Sequence, residues 1–351
     1  HSETLSLYVT NAIRCFLALV AVETYTFLAV SWIAFWALGN ALFSIMLAVR
    51  RKQVKGQNMD YSKLLTSLQQ TFIEQDNYFF DKHVPEFVKD GKFLGDYFNN
   101  IAVEPLGDKP PRFYHVYSPF DVISNKAPEY AAVFENGELL LHIDFDEYIA
   151  ARTAAMSAVV LKGLGKDNLS DKKVLLFGSG RIAAVAVKIL GTELGLKNVD
   201  VITRSGDLSK ITQATENSGV AIKTGSVESI GEYDIIICHT QSTEPVISKE
   251  QLGRIKQGAI LSSFISSTEH GEFPDEIFDS SKANIITDWQ QTLQGAKDLK
   301  RALDSSLFAE QDLIYIKDLL AGKNIDTSKH YIVYRSTGTP IQNLAALKLL
   351  V

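Results

Sequence analysis

The chain has 351 residues, 46% hydrophobic and 22% charged, with a formal net charge of −6. That length allows two modest domains, the composition is that of a globular protein, and the negative balance offers no basic footprint for nucleic acid. Its two cysteines, Cys15 and Cys238, lie far apart and its seven histidines show no HxxxH or HExxH spacing, so neither a disulfide framework nor a metal site is expected, and a reducing compartment fits.

The first 55 residues stand apart. From Thr24 to Val49 there is no charged residue, and Arg50, Arg51, Lys52 and Lys55 follow. As a helix at about 1.5 Å per residue this run would reach roughly 39 Å, more than the roughly 30 Å core of a bilayer. A single membrane anchor is expected at 24–49, with the basic cluster keeping the following chain on the cytoplasmic side. The alternatives are a buried core helix and translated sequence foreign to the working enzyme; a cleaved signal fits poorly, because its basic residues would come first.

Beyond Lys55, Tyr61–Asp76 places Leu64, Leu65, Leu68 and Phe72 at helical spacing. Residues 91–111 are rich in Gly and Pro and read as loop. Arg112–Tyr117 and Tyr130–Phe134 read as strands, and Asn136-Gly137 turns the chain into a third at 138–143. Ile149–Leu164, rich in Ala and Leu, reads as a helix of connector length. From Lys172 strands are expected at 173–178, 198–204, 220–224, 233–239, 258–265 and 284–288, with helices at 181–193 and 207–218. That rhythm predicts an α/β fold, a doubly wound parallel sheet with helices on both faces. After Ala296 the chain reads as helical again.

The apolar run ending at Gly178 meets Gly178-Ser179-Gly180-Arg181-Ile182-Ala183, a G-x-G-x-x-A turn between strand and helix. The first Gly permits the tight turn, the second lets backbone approach a pyrophosphate at the helix N-terminus, and Ala183 allows close packing on the sheet. The alternative is a purely structural turn. At the tip of the second strand stand Thr203, Arg204 and Ser205, with no acid to take a ribose 2′-hydroxyl. A guanidinium there suits a 2′-phosphate, which favours NADP(H) over NAD(H). Asp207 follows, and its plainer role is to cap the next helix. Thr240, Gln241 and Ser242 follow the fourth strand, where ligands lie in open α/β sheets; a helix-capping turn is the alternative.

Five segments resemble, in order, the ornithine cyclodeaminase/mu-crystallin family: 135–157 with its RTAA helix, the Gly-rich turn, 233–246, 258–263, and 332–346 with its S-x-G-T sequence. The resemblance covers roughly residues 60–351. It implies a homodimer in which a Rossmann lobe (166–299) is inserted in a discontinuous substrate-binding and dimerisation lobe (56–165 plus 300–351). It implies hydride exchange between a nicotinamide and the Cα of a small imino or amino acid. It assigns Arg152 to the substrate carboxylate, whose two oxygens match a guanidinium fork. It places Arg112 at a substrate-binding Lys, with His115 as rival, and Gly338 and Thr339 beside the nicotinamide.

Two departures stand out. Ser262–His270 lacks the Asp that ornithine cyclodeaminases carry there, and Glu269 or His270 could fill its place only after a shift of the loop. Arg335 and Asn343 stand where Lys and Asp are usual. The leading expectation is therefore NADPH-dependent reduction of a ketimine or imino acid. The alternatives are an amino-acid dehydrogenase or opine-type synthase, a cyclodeaminase-like lyase, and an NADPH-binding protein without turnover.

Overall fold

The computed structural model describes residues 59–351, apart from 84–85, 90–91, 97–98, 108, 119–128, 243 and 265–270. The expected span at 24–49 lies outside the described residues; among those described, no helix is long and apolar enough to cross a membrane.

Asp60 starts the first helix, its carboxylate accepting from the Lys63 amide at 3.1 Å. Helix α1 (Tyr61–Ile73) buries Leu64, Leu65, Leu68 and Phe72, the stripe its sequence spacing marks. Seven strands follow: β1 (Phe79–His83), β2 (Glu86–Lys89), β3 (Lys92–Asp96), β4 (Asn99–Leu106), β5 (Lys109–Tyr117), β6 (Tyr130–Glu135) and β7 (Glu138–Asp144). β2 and β3 pair with each other, and the rest form an antiparallel sheet in the order β1-β4-β5-β6-β7. Asn136 and Gly137 both have positive φ, as the expected hairpin turn requires.

The expected loop at 91–111 is instead β3, β4 and the start of β5. Its Pro105, Gly107, Pro110 and Pro111 gather around one hairpin, where the β4–β5 register shifts between Glu104 and Leu106. The breakers mark a bulged turn, and pairing on both sides overrides them.

Helix α2 (Asp146–Gly163) is buried from Ala150 through Leu161 and packs against α1 and the helix of the Gly-rich turn. Its small residues allow close approach on every side. The chain then alternates through β8 (Val174–Phe177), α3 (Arg181–Leu194), β9 (Asn198–Ile202), α4 (Ser209–Ala214), β10 (Ala221–Thr224), β11 (Ile235–Cys238), α5 (Lys249–Leu252), β12 (Ala259–Ser263) and β13 (Ala283–Thr287). Short helices α6 (Thr292–Gly295) and α7 (Lys297–Asp304) precede β14 (Leu313–Tyr315), α8 (Ile316–Leu320), β15 (Tyr331–Arg335) and α9 (Pro340–Leu347).

Eight of these strands make one parallel sheet, ordered β10-β9-β8-β11-β12-β15-β13-β14. At its centre β8 and β11 are continuous apolar runs, as a sheet covered on both faces demands. Leu175, Ile236, Leu261 and Ile285 lie in its core, each worth roughly 1.5–3 kcal/mol of burial. Residues 300–351 divide between two structures. β14 and β15 belong to the large sheet, whereas α9 packs on α1, α2 and the antiparallel sheet. The helical reading after Ala296 misses both strands. β15 enters between β12 and β13.

Candidate active site

The parallel sheet reverses strand order between β8 and β11, which opens a crevice at their C-terminal ends. Gly178 sits at its mouth with φ +109°, and a Cβ there would stand 2.3 Å from the His239 carbonyl oxygen, so no side chain fits. Gly180 precedes α3 in an extended conformation with no side chain capping the helix, leaving its first amides open to an anion. Ala183 is fully buried against the sheet, Ser179 and Ile182 are half-buried, and Arg181 is exposed, 3.8 Å from Asp146.

At the tip of β9, Arg204 is exposed. The Thr203 hydroxyl donates to the Asp207 carbonyl at 3.4 Å, and Ser205 Oγ accepts from the Asp207 amide at 3.3 Å. The Asp207 carboxylate is taken by the Ser209 amide and hydroxyl, at 2.8 and 2.9 Å. It serves the start of α4, and no acid occupies the strand tip. These features together fit a dinucleotide.

Opposite, one buried carboxylate ties two loops together. Glu272 accepts from the Thr240 amide and hydroxyl, both at 2.7 Å, and from Ser263 Oγ and the Phe264 amide, both at 3.0 Å. Thr240 is thus turned inward as a strut. Ser242 closes a local turn with Glu244, and Gln241 is exposed.

The second half of the site gathers around Gly338, three residues beyond β15. Gly338 has φ +70°, and a Cβ on it would lie 2.7 Å from Arg152 Nη1. Arg152 projects from buried α2 and donates to Gln342 Oε1 at 2.7 Å, while its Nε has no partner. Lys82, on β1, donates from Nζ to the Gly338 carbonyl at 2.7 Å and to that of Thr337 at 3.3 Å. Two cations therefore flank one peptide. Burial, then the nearby Arg152, pushes the Lys82 ammonium down to about 8, against the pull of Asp288.

Asp288, just past β13, is fully buried and accepts from Tyr334 Oη at 2.5 Å and Ser336 Oγ at 2.6 Å. Burial raises its carboxyl above the usual range despite those bonds. Glu129, whose main effect on Arg152 is electrostatic, is raised by burial as well. Arg335 is spent on Asp298 in a buried fork at 2.8 and 3.0 Å. The hydrogen bonds of Arg152 and Lys82 go to Gln342 Oε1 and to backbone carbonyls, so two cations face the Gly338 turn, an arrangement that suits an anion. Thr339 caps α9 and is buried, holding the turn in place.

Arg112 stands apart from this group. It binds Glu135 Oε1 at 2.9 Å, lies 3.8 Å from Glu104, and donates to Tyr114 Oη at 3.4 Å. Its place on β5, opposite Glu104 and Glu135, gives it nearer acids to pair. His115 bonds Asn99 at 2.6 Å and stacks on Tyr117, which is a structural role. Ser262 and Ser263 are buried; Glu269 and His270 lie outside the described residues. Sequence reasoning missed Lys82, Asp288, Glu272 and Tyr334. Asp288 had a usable signal, an acid at the C-terminal end of a parallel strand; Lys82, on an unrecognised strand, had none.

The profile of the ornithine cyclodeaminase/mu-crystallin family matches residues 132–351. Ketimine reductase mu-crystallin of Mus musculus is 27% identical over 258 residues, 71% of this chain and 76% of its own length. A Delta(1)-pyrroline-2-carboxylate reductase of Bacillus cereus is 23% identical over 62% of this chain and 67% of its own. Among solved structures, the iminosuccinate reductase of Paracoccus denitrificans in complex with NAD+ superposes with a TM-score of 0.69 at 16% identity, over 84% of this chain and 91% of that one. That likeness is one of fold.

Proposed function

We propose, because the chain belongs to the ornithine cyclodeaminase/mu-crystallin family, that it is an NADPH-dependent reductase of imino acids, acting at a C=N carbon next to a carboxylate. The observation that carries this reading is the convergence of Arg152 and Lys82 on Gly338, at the C-terminal side of the parallel sheet. Arg152 receives the carboxylate on its guanidinium fork, and Lys82 closes on it from the antiparallel sheet. Gln342 and Gly338 fix the fork's position, so the substrate is oriented as it binds. NADPH, when bound, supplies the hydride. Lys82 is the group best placed to return a proton to the substrate nitrogen, because an ammonium held near 8 gives up its proton close to neutral pH. An NADPH-absorbance screen of cyclic and acyclic imines tests the reading, with turnover of carboxylated imines as the expected result.

Arg204, with Thr203 and Ser205, is assigned to the 2′-phosphate. Arg204→Ala should lower the preference for NADPH over NADH roughly 10- to 100-fold. An unchanged ratio of kcat/KM for the two cofactors would remove that assignment.

A homodimer is supported by the antiparallel sheet. Phe79 and Phe113 share one of its faces, both aligned with Val103, and are 71% and 45% exposed. A second copy packed there would cover them. Phe113→Asp should turn a dimer into a monomer in sedimentation; a dimer that persists would move the interface elsewhere.

A further inference from the structure

We infer that His239 binds the nicotinamide half of the cofactor through both of its ring nitrogens. The inference rests on the dinucleotide-binding reading of the crevice and adds a residue to it.

His239 is the first residue past β11. Its amide donates to the Phe177 carbonyl at 2.9 Å, and its own carbonyl is the atom that forbids a Cβ on Gly178. It therefore stands against the Gly-rich turn, at the crevice where the strand order reverses and open parallel sheets receive ligands. Its ring stacks on Phe264 with centroids 4.5 Å apart and planes 29° apart. Phe264 in turn meets the edge of Tyr334, whose hydroxyl holds Asp288. A file of rings thus runs from the crevice to the Gly338 turn.

Nδ1 and Nε2 of His239 are both buried and both without a hydrogen-bond partner. A buried polar atom left unpaired destabilises the protein, and such atoms persist where a ligand completes them. Burial pushes the imidazole down to about 3, so the ring is neutral and presents one N–H donor and one acceptor. These two groups point to opposite sides of the ring and need two separate partners, which the ribose hydroxyls and the carboxamide of the nicotinamide half supply as donors and acceptors. A phosphate offers acceptors alone and would leave one nitrogen unpaired. The ring belongs on the nicotinamide side because the adenosine side of the crevice lies at β9, with Thr203, Arg204 and Ser205, on the far side of β8.

The test uses the full chain and fluorescence titration with NADPH, and with adenosine 2′,5′-bisphosphate, which lacks the nicotinamide half. His239→Phe keeps the ring stack and removes both nitrogens. It should weaken NADPH about tenfold, the equivalent of one to two hydrogen bonds, and leave the bisphosphate unchanged. Its melting temperature without ligand should equal or exceed that of the wild type, because an unpaired buried ring has become apolar. His239→Asn, with one donor and one acceptor, should recover part of the affinity. NADPH affinity equal to wild type, an equal loss for NADPH and the bisphosphate, or a lower melting temperature with unaltered affinity overturns the inference. A wild-type chain that binds neither NADPH nor NADH overturns the dinucleotide reading itself.

Discussion

Arg152→Ala should lower kcat/KM for a carboxylated imine roughly 1000-fold, about 4 kcal/mol, the scale of removing one partner from a buried charge-assisted pair. Three features of the structure set that size. The guanidinium is buried, its direction is fixed by Gln342 and the Gly338 turn, and its Nε is without a partner until a ligand arrives. NADPH affinity should change little, because the contacts of Arg152 are with Gln342 and the Gly338 turn. Arg152→Lys should recover only part of the loss, since an ammonium cannot reproduce the planar fork. Steady-state kinetics on variants with wild-type circular dichroism decide the matter. Wild-type kcat/KM in Arg152→Ala would place the carboxylate elsewhere.

Lys82 should make the reaction sensitive to alkali. Its folded-state pKa is lowered to about 8, so the cation is present below that pH and lost as pH rises through it. Both roles assigned to it, gripping the carboxylate and releasing a proton, need the cation. kcat/KM should therefore fall above pH 8, by about tenfold per pH unit at the limit. Lys82→Met should cost roughly 10- to 100-fold at pH 7, the range of a hydrogen bond to a charged group, and should flatten that alkaline limb. An unchanged pH profile in Lys82→Met would assign the limb to another group. The same ammonium faces Arg152, Asp288 and Arg335, so the variant also removes a repulsion from Arg152 and a partner from Asp288.

The parallel sheet was legible in the sequence because its information is local. β8 and β11 are short apolar runs, β9, β12 and β13 are rich in apolar residues, each is bounded by turn residues, and the Gly178–Ala183 turn sits where one strand becomes a helix. Arg152 was singled out on a different ground, a resemblance carried by the RTAA helix. The Lys82 half of the site was hidden because it depends on distant pairing. β1 reads FFDKH, without alternation, and becomes a strand by pairing with β4, Lys82 opposite Asn100. Lys82 then meets a turn some 255 residues away. Arg112 lies on a strand that reads clearly, yet its charge was claimed by Glu135 and Glu104, which only the register brings beside it. β15 was obscured by the helical sequence around it, and with β15 went the position of Gly338 and its neighbours.

Reduction of a C=N bond held by its neighbouring carboxylate is decided by NADPH consumption with paired cyclic imines, one carrying the carboxylate and one lacking it. The carboxylated imine should turn over, and its partner should lose roughly 100-fold or more in kcat/KM, since two charged contacts go unmade. Equal rates on the two imines, or no consumption of NADPH with either, would contradict a carboxylate-held reduction.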